Sequence, residues 1–246
     1  MGAKARLLSL LALASAAGLA GETLLLAERH CSKLEASLRD DFRVVLFLHG
    51  SLEESRAKVL EEKLRASPEV ADVRFVSADD ALAALKRDDP ELVESVALVG
   101  DNPLPSAFEV RPTPESFTHL GAWLDGAQRL AEWSDVRYKP GQVQAILRLR
   151  FYARLLRMTL STLLCFLAAV ALITLGSGAK AAPGARKIVL WAAGAGAAGL
   201  LCAVMIAWPL RREERLWAWP APLAQAALIA ACATLGWSLP LWRADS

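Results

Sequence analysis

The 246-residue chain has three histidines, four cysteines and two tyrosines, and it lacks the arrangements that carry most enzyme chemistry. His30, His49 and His119 have no Cys, Asp or Glu at metal-ligand spacing, and no His-Glu-x-x-His occurs, so no metal site is expected. There is no Gly-x-Ser-x-Gly turn and no glycine-rich phosphate loop, so the chain alone should not hydrolyse nucleotide. Cys165, Cys202 and Cys232 lie in apolar runs, where a thiol acts as a small hydrophobe, and Cys31 stands alone in a polar segment, which excludes a disulfide scaffold. Acid is scarce outside residues 28–150. That segment holds 22 of the 26 Asp and Glu but 17 of the 28 Lys and Arg, a net of −5, and leaves +7 for the remainder. The basic excess flanks apolar runs and forms no basic face, which disfavours nucleic acid as a partner. The acidic pairs Asp40/Asp41, Asp79/Asp80 and Asp88/Asp89 sit near helix starts or turns and read as solvated caps, so no catalytic residue and no cofactor are expected.

What abounds is apolar surface: 54% of residues are hydrophobic and the mean hydropathy is +0.32. Residues 158–179, 188–210 and 216–242 contain no Asp, Glu, Lys, Arg or His, and each is long enough for the roughly 20 residues a hydrocarbon core demands. Residues 7–27 form a weaker run interrupted by Glu22. A cleaved signal peptide is the alternative there, given Lys4, Arg6 and the small residues of 14–20, while Leu24, Leu25 and Leu26 favour a retained helix. Four transmembrane helices are therefore expected. Lys4, Arg6, Lys180, Arg186 and Lys187 place both termini and the loop 180–187 inside, with residues 28–150 and the loop 211–215 outside, although seven arginines then lie on the outer side. The tryptophans at 191, 208, 217, 219, 237 and 242 lie near run ends, as an interfacial belt would. Gly194 with Ala198 and Ala195 with Gly199 recur at a spacing of four, which either lets another helix approach closely or reflects a merely alanine-rich span. The last three runs carry only Ser, Thr, Cys and Gln225 as hydrogen-bonding side chains besides tryptophan, which disfavours a membrane enzyme or a transported solute.

The segment 28–150 alternates between strand and helix periodicity. Residues 43–48 are β-branched and apolar, and Ser51 to Glu54 fits a capping box opening a helix to about Arg65 with Val59, Leu60 and Leu64 on its buried side. Residues 70–76 alternate as a strand, Ser77 caps a helix over 81–87, and 91–99 offer a further short helix after Pro90. Residues 107–111 form a strand, 115–130 a helix with a weak point at Gly126, and 136–138 a last strand. This order predicts an α+β membrane protein whose extracytoplasmic domain, between the first and second transmembrane helices, is a ferredoxin-like split βαβ unit with a helical insertion after its second strand. The remaining divisions are 1–27, an exit helix and second span at 151–179, a third span at 188–210 and a fourth with the tail at 216–246.

Three stretches carry a resemblance. Asn102-Pro103-Leu104-Pro105-Ser106-Ala107-Phe108-Glu109-Val110 places two prolines, which fix an extended approach and withhold ladder donors, just before a strand. Residues 67–77, followed by Ala81-Leu82, and the run from Val136-Arg137-Tyr138 to Arg157 are the other two. Together they resemble the FtsX cell-division proteins, permease-like membrane subunits of an ATP-driven complex, and the four-span layout extends the likeness. The resemblance implies a multi-pass protein of the bacterial cytoplasmic membrane, a homodimer that engages the FtsE ATPase, whose outer domain binds a peptidoglycan hydrolase or its coiled-coil activator. On it the insertion is the partner site, with Leu82, Leu85, Leu92, Val93 and Val96 as candidates, although such residues at helical spacing also suit a core. Asn102, Pro103, Leu104, Pro105 and Phe108 are the structural motif. Arg150, Arg154 and Arg157 fall at i, i+4 and i+7 on one face beside a span and read as a contact to membrane lipid headgroups, the alternative being a solvated face. The loop 176–187 is short and rich in Gly and Ala where the family carries a longer charged segment, so the alternative is a membrane-anchored cell-wall-binding or sensory protein that works without an ATPase.

Overall fold

A computed structural model describes residues 3–49, 54–89, 102–130, 133–176, 185–212 and 217–238. It divides into an α+β unit, Ser37–Leu147, and a helical unit, Met1–Ala36 with Arg148–Ser246. The α+β unit begins and ends inside the 28–150 read from charge, because two helices run on past those limits: α1 (Ala3–Asp40) continues beyond its apolar run, and α5 (Pro140–Gly176) starts ahead of its own.

In the α+β unit the elements follow as β1 (Val44–Leu48), α2 (Glu54–Arg65), β2 (Val70–Val76), α3 (Ala78–Asp88), β3 (Ala107–Pro112), α4 (Leu120–Gln128) and β4 (Trp133–Arg137). The strands make one antiparallel sheet in the order β2-β3-β1-β4. β1 can occupy a central position because both its faces are apolar: Val44, Leu46 and Leu48 are buried, and Val45 and Phe47 are half-buried. Phe108 of β3 stands opposite Leu46 on one side and Phe75 on the other, and its ring lies 5.1 Å from that of Phe75 and 6.1 Å, edge-on, from that of Trp133. Ala57, Leu60 and Leu64 of α2 and Leu120, Trp123, Leu124 and Ala127 of α4 close over the sheet, and Leu38 and Ile146 add to the same core.

Two local readings change. Val59 is 53% exposed, because Ala57, Leu60 and Leu64 already form the i, i+3, i+7 stripe and Val59 projects about 100° from Leu60. The helix expected over 115–130 is broken at His119, not weakened at Gly126: Ser116–Thr118 form a 3₁₀ turn in which Ser116 Oγ donates to Thr113 O at 2.8 Å and Thr118 Oγ1 to Glu115 O at 3.0 Å. These local bonds compete with α-helical hydrogen bonding, and α4 starts after them. The cap expected at Ser51 and the helix expected over 91–99 lie outside the described residues.

The helical unit adds α6 (Ala185–Ala207) and α7 (Pro222–Ser238). Among the described residues three helices are long and apolar enough to cross a membrane, Lys4–Asp40, Pro140–Val170 and Arg186–Arg211, whereas α7 has 17 residues. Close packing relies on glycine. A side chain at Gly18 would collide with the backbone oxygen of Gly196, and one at Gly196 would lie 2.6 Å from Cys232 Cβ, so α6 meets α1 on one side and α7 on another. The contact residues on α6 are Ala192, Gly196, Gly199 and Ala203, all buried, while Gly194 and Ala198 of the expected stripe face outward.

Phe108→Ala, which empties the centre of the sheet core, is expected to destabilise the chain by about 3–5 kcal/mol, and Val59→Ala by no more than about 0.5 kcal/mol. Thermal unfolding in detergent, followed by near-ultraviolet circular dichroism, measures the contrast.

Candidate functional site

α3 and the extended strap at residues 102–106 are held by polar side chains. Ser77 Oγ accepts from Asp80 N at 3.1 Å and donates to Asp80 Oδ2 at 2.8 Å, so the expected cap opens α3 at Ala78. Asn102 Nδ2 donates to Ala78 O at 2.8 Å, and Asn102 Oδ1 accepts from Leu104 N at 3.1 Å. One amide side chain thus ties the first residue of α3 to the strap and turns the strap toward β3. Leu104 is half-buried, Pro103 and Pro105 are exposed, and Ser106 O accepts from Leu48 N at 2.9 Å as the chain joins the sheet. Phe108, the last motif residue, is fully buried.

No residue of α3 is buried, and Leu82 and Leu85 are half-buried on its surface. Leu92, Val93 and Val96 lie outside the described residues. Among the described residues no three His, Cys, Asp or Glu side chains gather as a metal site would require. The two carboxyls below the ordinary range serve local structure: the Ser67 hydroxyl, 2.6 Å away, lowers Glu69, and Arg137, 2.8 Å away, lowers Asp135.

In the helical unit the three arginines part company. Arg150 Nη2 donates to Glu35 Oε1 at 2.8 Å and Arg157 Nη2 to Glu28 Oε1, so two of the three turn to α1, while Arg154 is exposed. Outward beside it are Phe151, 62% exposed, and Tyr152, 51% exposed. Deeper in the unit Glu22 is 0% exposed, and Gln225 Nε2 donates to its Oε1 at 2.7 Å, while Oε2 has no hydrogen-bond partner among the described residues. This bond between α1 and α7 was missed in the sequence, although the signal was present: one acid in the first apolar run and one amide in the last, where hydrocarbon favours mutual pairing. Lys33 Nζ donates to Trp217 O at 2.6 Å, and the Trp217 ring stands edge-on to His30 and to Trp219. Trp217 is buried, whereas Trp191, Trp208 and Trp219 are exposed as a belt requires.

Asn102→Ala removes two hydrogen bonds and should cost about 1–3 kcal/mol in thermal unfolding; Asn102→Asp keeps the acceptor for Leu104 N and should recover about half. A double-mutant cycle of Glu22→Leu with Gln225→Leu, read by unfolding in bilayers, should give a coupling of about 0.6–1.7 kcal/mol.

No curated protein sequence matches the chain. Residues 41–150 match the family described as the FtsX extracellular domain, a span that covers the four strands, α2, α3, α4 and the strap. The α+β unit is therefore an FtsX extracellular domain, carried in a chain whose flanking helices are long and apolar enough to cross a membrane.

Proposed function

We propose that the chain is the membrane subunit of a division complex in which a cytoplasmic FtsE-type ATPase moves the helices and the outer domain biases a peptidoglycan hydrolase or its coiled-coil activator toward activity. The observation that carries this reading is the domain match over 41–150 on a unit whose chain enters through α1 and leaves through α5, both long and apolar enough to cross a membrane. On this reading the chain is a non-catalytic subunit of the cytoplasmic membrane, acting as a homodimer with its outer domain extracytoplasmic. Four spans follow if α7 completes the last. The order β2-β3-β1-β4, with β1 and β2 both antiparallel to β3 and joined through α2, supports a ferredoxin-like arrangement with α3 in the β2–β3 connection.

Two surfaces serve this function. α3 is capped at its start and contributes no fully buried residue, and Leu82 and Leu85, half-buried on its surface, form the docking face for the hydrolase partner. Arg154, with Phe151 and Tyr152, meets lipid headgroups at the outer membrane surface. Regulation of this kind requires the partner to bind the two states of the complex with different affinity, since equal affinity shifts no population.

Co-purification of the tagged chain with FtsE from the same genome, with and without ATP, tests the coupling. Stoichiometric recovery is expected, and absence of FtsE in both conditions would favour the ATPase-independent cell-wall-binding protein. Leu82→Ser with Leu85→Ser should weaken hydrolase or activator binding at least tenfold while moving the unfolding temperature little; undiminished binding would place the docking face elsewhere.

A further inference from the structure

One side of α2 carries apolar surface that the core does not take. Ala57, Leu60 and Leu64 fill its buried stripe, yet Val59 is 53% exposed, and Leu130, just past the end of α4, is 46% exposed. These two line a groove of about 430 Å³ together with Ser55, Arg56, Leu60 and Lys63. The end of α4 that presents Leu130 is fixed by two donors to one oxygen: Leu130 N donates to Ala127 O at 3.0 Å, and Trp133 Nε1 donates to it at 2.8 Å. Arg56 and Lys63 are seven residues apart, about 10 Å along the helix axis, with Val59 and Leu60 between them. Both cations are exposed, and neither has an ion pair among the described residues. The nearest carboxylates along α2 are directed elsewhere. Glu61 Oε1 accepts from Arg65 Nη2 at 2.7 Å, and Glu62 lies about 60° round the helix from Val59, on the side away from Leu60 and Lys63. The groove is thus apolar along its length and positive at both ends.

We propose that this groove is a second docking surface of the α+β unit, and that its occupant is an acidic amphipathic helix of a partner protein. Charge complementarity selects that occupant. A helix laid alongside α2 with carboxylates at i and i+7 matches the spacing of Arg56 and Lys63, and large apolar side chains at its i+3 and i+4 positions then enter the groove between Val59 and Leu130. A polyanionic chain would satisfy the two cations but leave Val59 and Leu130 uncovered. An uncharged helix would cover the apolar side chains while taking water from Arg56 and Lys63 without replacing it by a partner. Only an occupant with both features uses the whole surface, an apolar centre within a charged rim. The groove shares no residue with the α3 face assigned above to the hydrolase partner. The inference goes beyond the regulatory reading and does not depend on it, since the groove can be tested with no ATPase or hydrolase present.

The test uses the full chain in nanodiscs of phosphatidylcholine, whose headgroup has no net charge. The probe is a fluorescently labelled synthetic helix of three heptads, with Glu at the first position of each, Leu at the fourth and fifth, and Ala or Gln elsewhere. Binding, read by anisotropy, is expected. Val59→Ser with Leu130→Ser, and Arg56→Ser with Lys63→Ser, should each weaken it by about tenfold or more. Arg56→Glu with Lys63→Glu should release the acidic helix and take up one with Lys in place of Glu, an exchange that an unfolded variant could not show. No binding to the parent chain, or undiminished binding in both serine pairs, would overturn the proposal. Loss in the charge pair alone would assign the surface to polyanions, and loss in the apolar pair alone to uncharged apolar contact; either result overturns the acidic helix. Light scattering supplies the remaining arm: a dimer of the parent chain that becomes monomeric in Val59→Ser with Leu130→Ser would show the groove filled by a second copy and overturn it too.

Discussion

An acidic side chain held against apolar helices must find a donor on another helix, and that requirement organises the helical unit. α1 carries three such carboxylates. Glu22 accepts from Gln225 of α7, Glu28 from Arg157 of α5 and Glu35 from Arg150 of α5. Each bond crosses to a different helix or a different level, so together they set the register of α1 against its neighbours. Small residues then decide how close the helices come, since Gly18 and Gly199 of α1 and α6 leave no room for a Cβ against the facing backbone. The dispersion gained by that approach and the polar bonds act on the same helix, which makes α1 the element on which the others are arranged.

The outer domain answers to a different constraint. Its sheet buries one continuous apolar face, and α2 and α4 cover it with stripes at helical spacing. What the core does not need it leaves at the surface: α3 is capped, tied to the strap by Asn102, and free of buried side chains. On the proposed reading this leaves the half-buried Leu82 and Leu85 for a partner. Pro103 and Pro105 serve the same end by keeping the strap extended until Ser106 accepts the hydrogen bond of Leu48.

On the proposed reading the two arrangements bear on one function. A transmitting subunit needs a folded recognition domain and helices able to adopt more than one arrangement. The carboxylates of the two pairs are only 12% and 13% exposed, so any other arrangement of these helices must supply Glu28 and Glu35 with donors of its own. Of the two arginines, Arg157 has the more exposed side chain, 68% against 27% for Arg150.

Much of this was legible in the residues alone. A β-branched apolar run marked β1 and alternation marked β2 and β3, almost to their ends, the Ser77 cap marked α3, and the apolar runs marked the membrane helices, because period and composition are properties of neighbours along the chain. The family showed in the Asn102 to Val110 motif for the same reason. The reading failed where the answer depended on residues far apart in sequence. Val59 looked like core because an apolar residue at helical spacing does not reveal whether the stripe is already filled. The arginines at 150, 154 and 157 looked alike because spacing assigns a face but not its neighbour; only packing against α1 gave Glu35 and Glu28 to two of them and left the third outside. Glu22 looked like a flaw in a membrane run until Gln225, about 200 residues away, was brought beside it. Sequence alone determined the elements, the membrane character and the family, which are local properties, whereas tertiary structure alone decided which polar groups pair and which surfaces stay open, because those outcomes depend on contacts between distant segments.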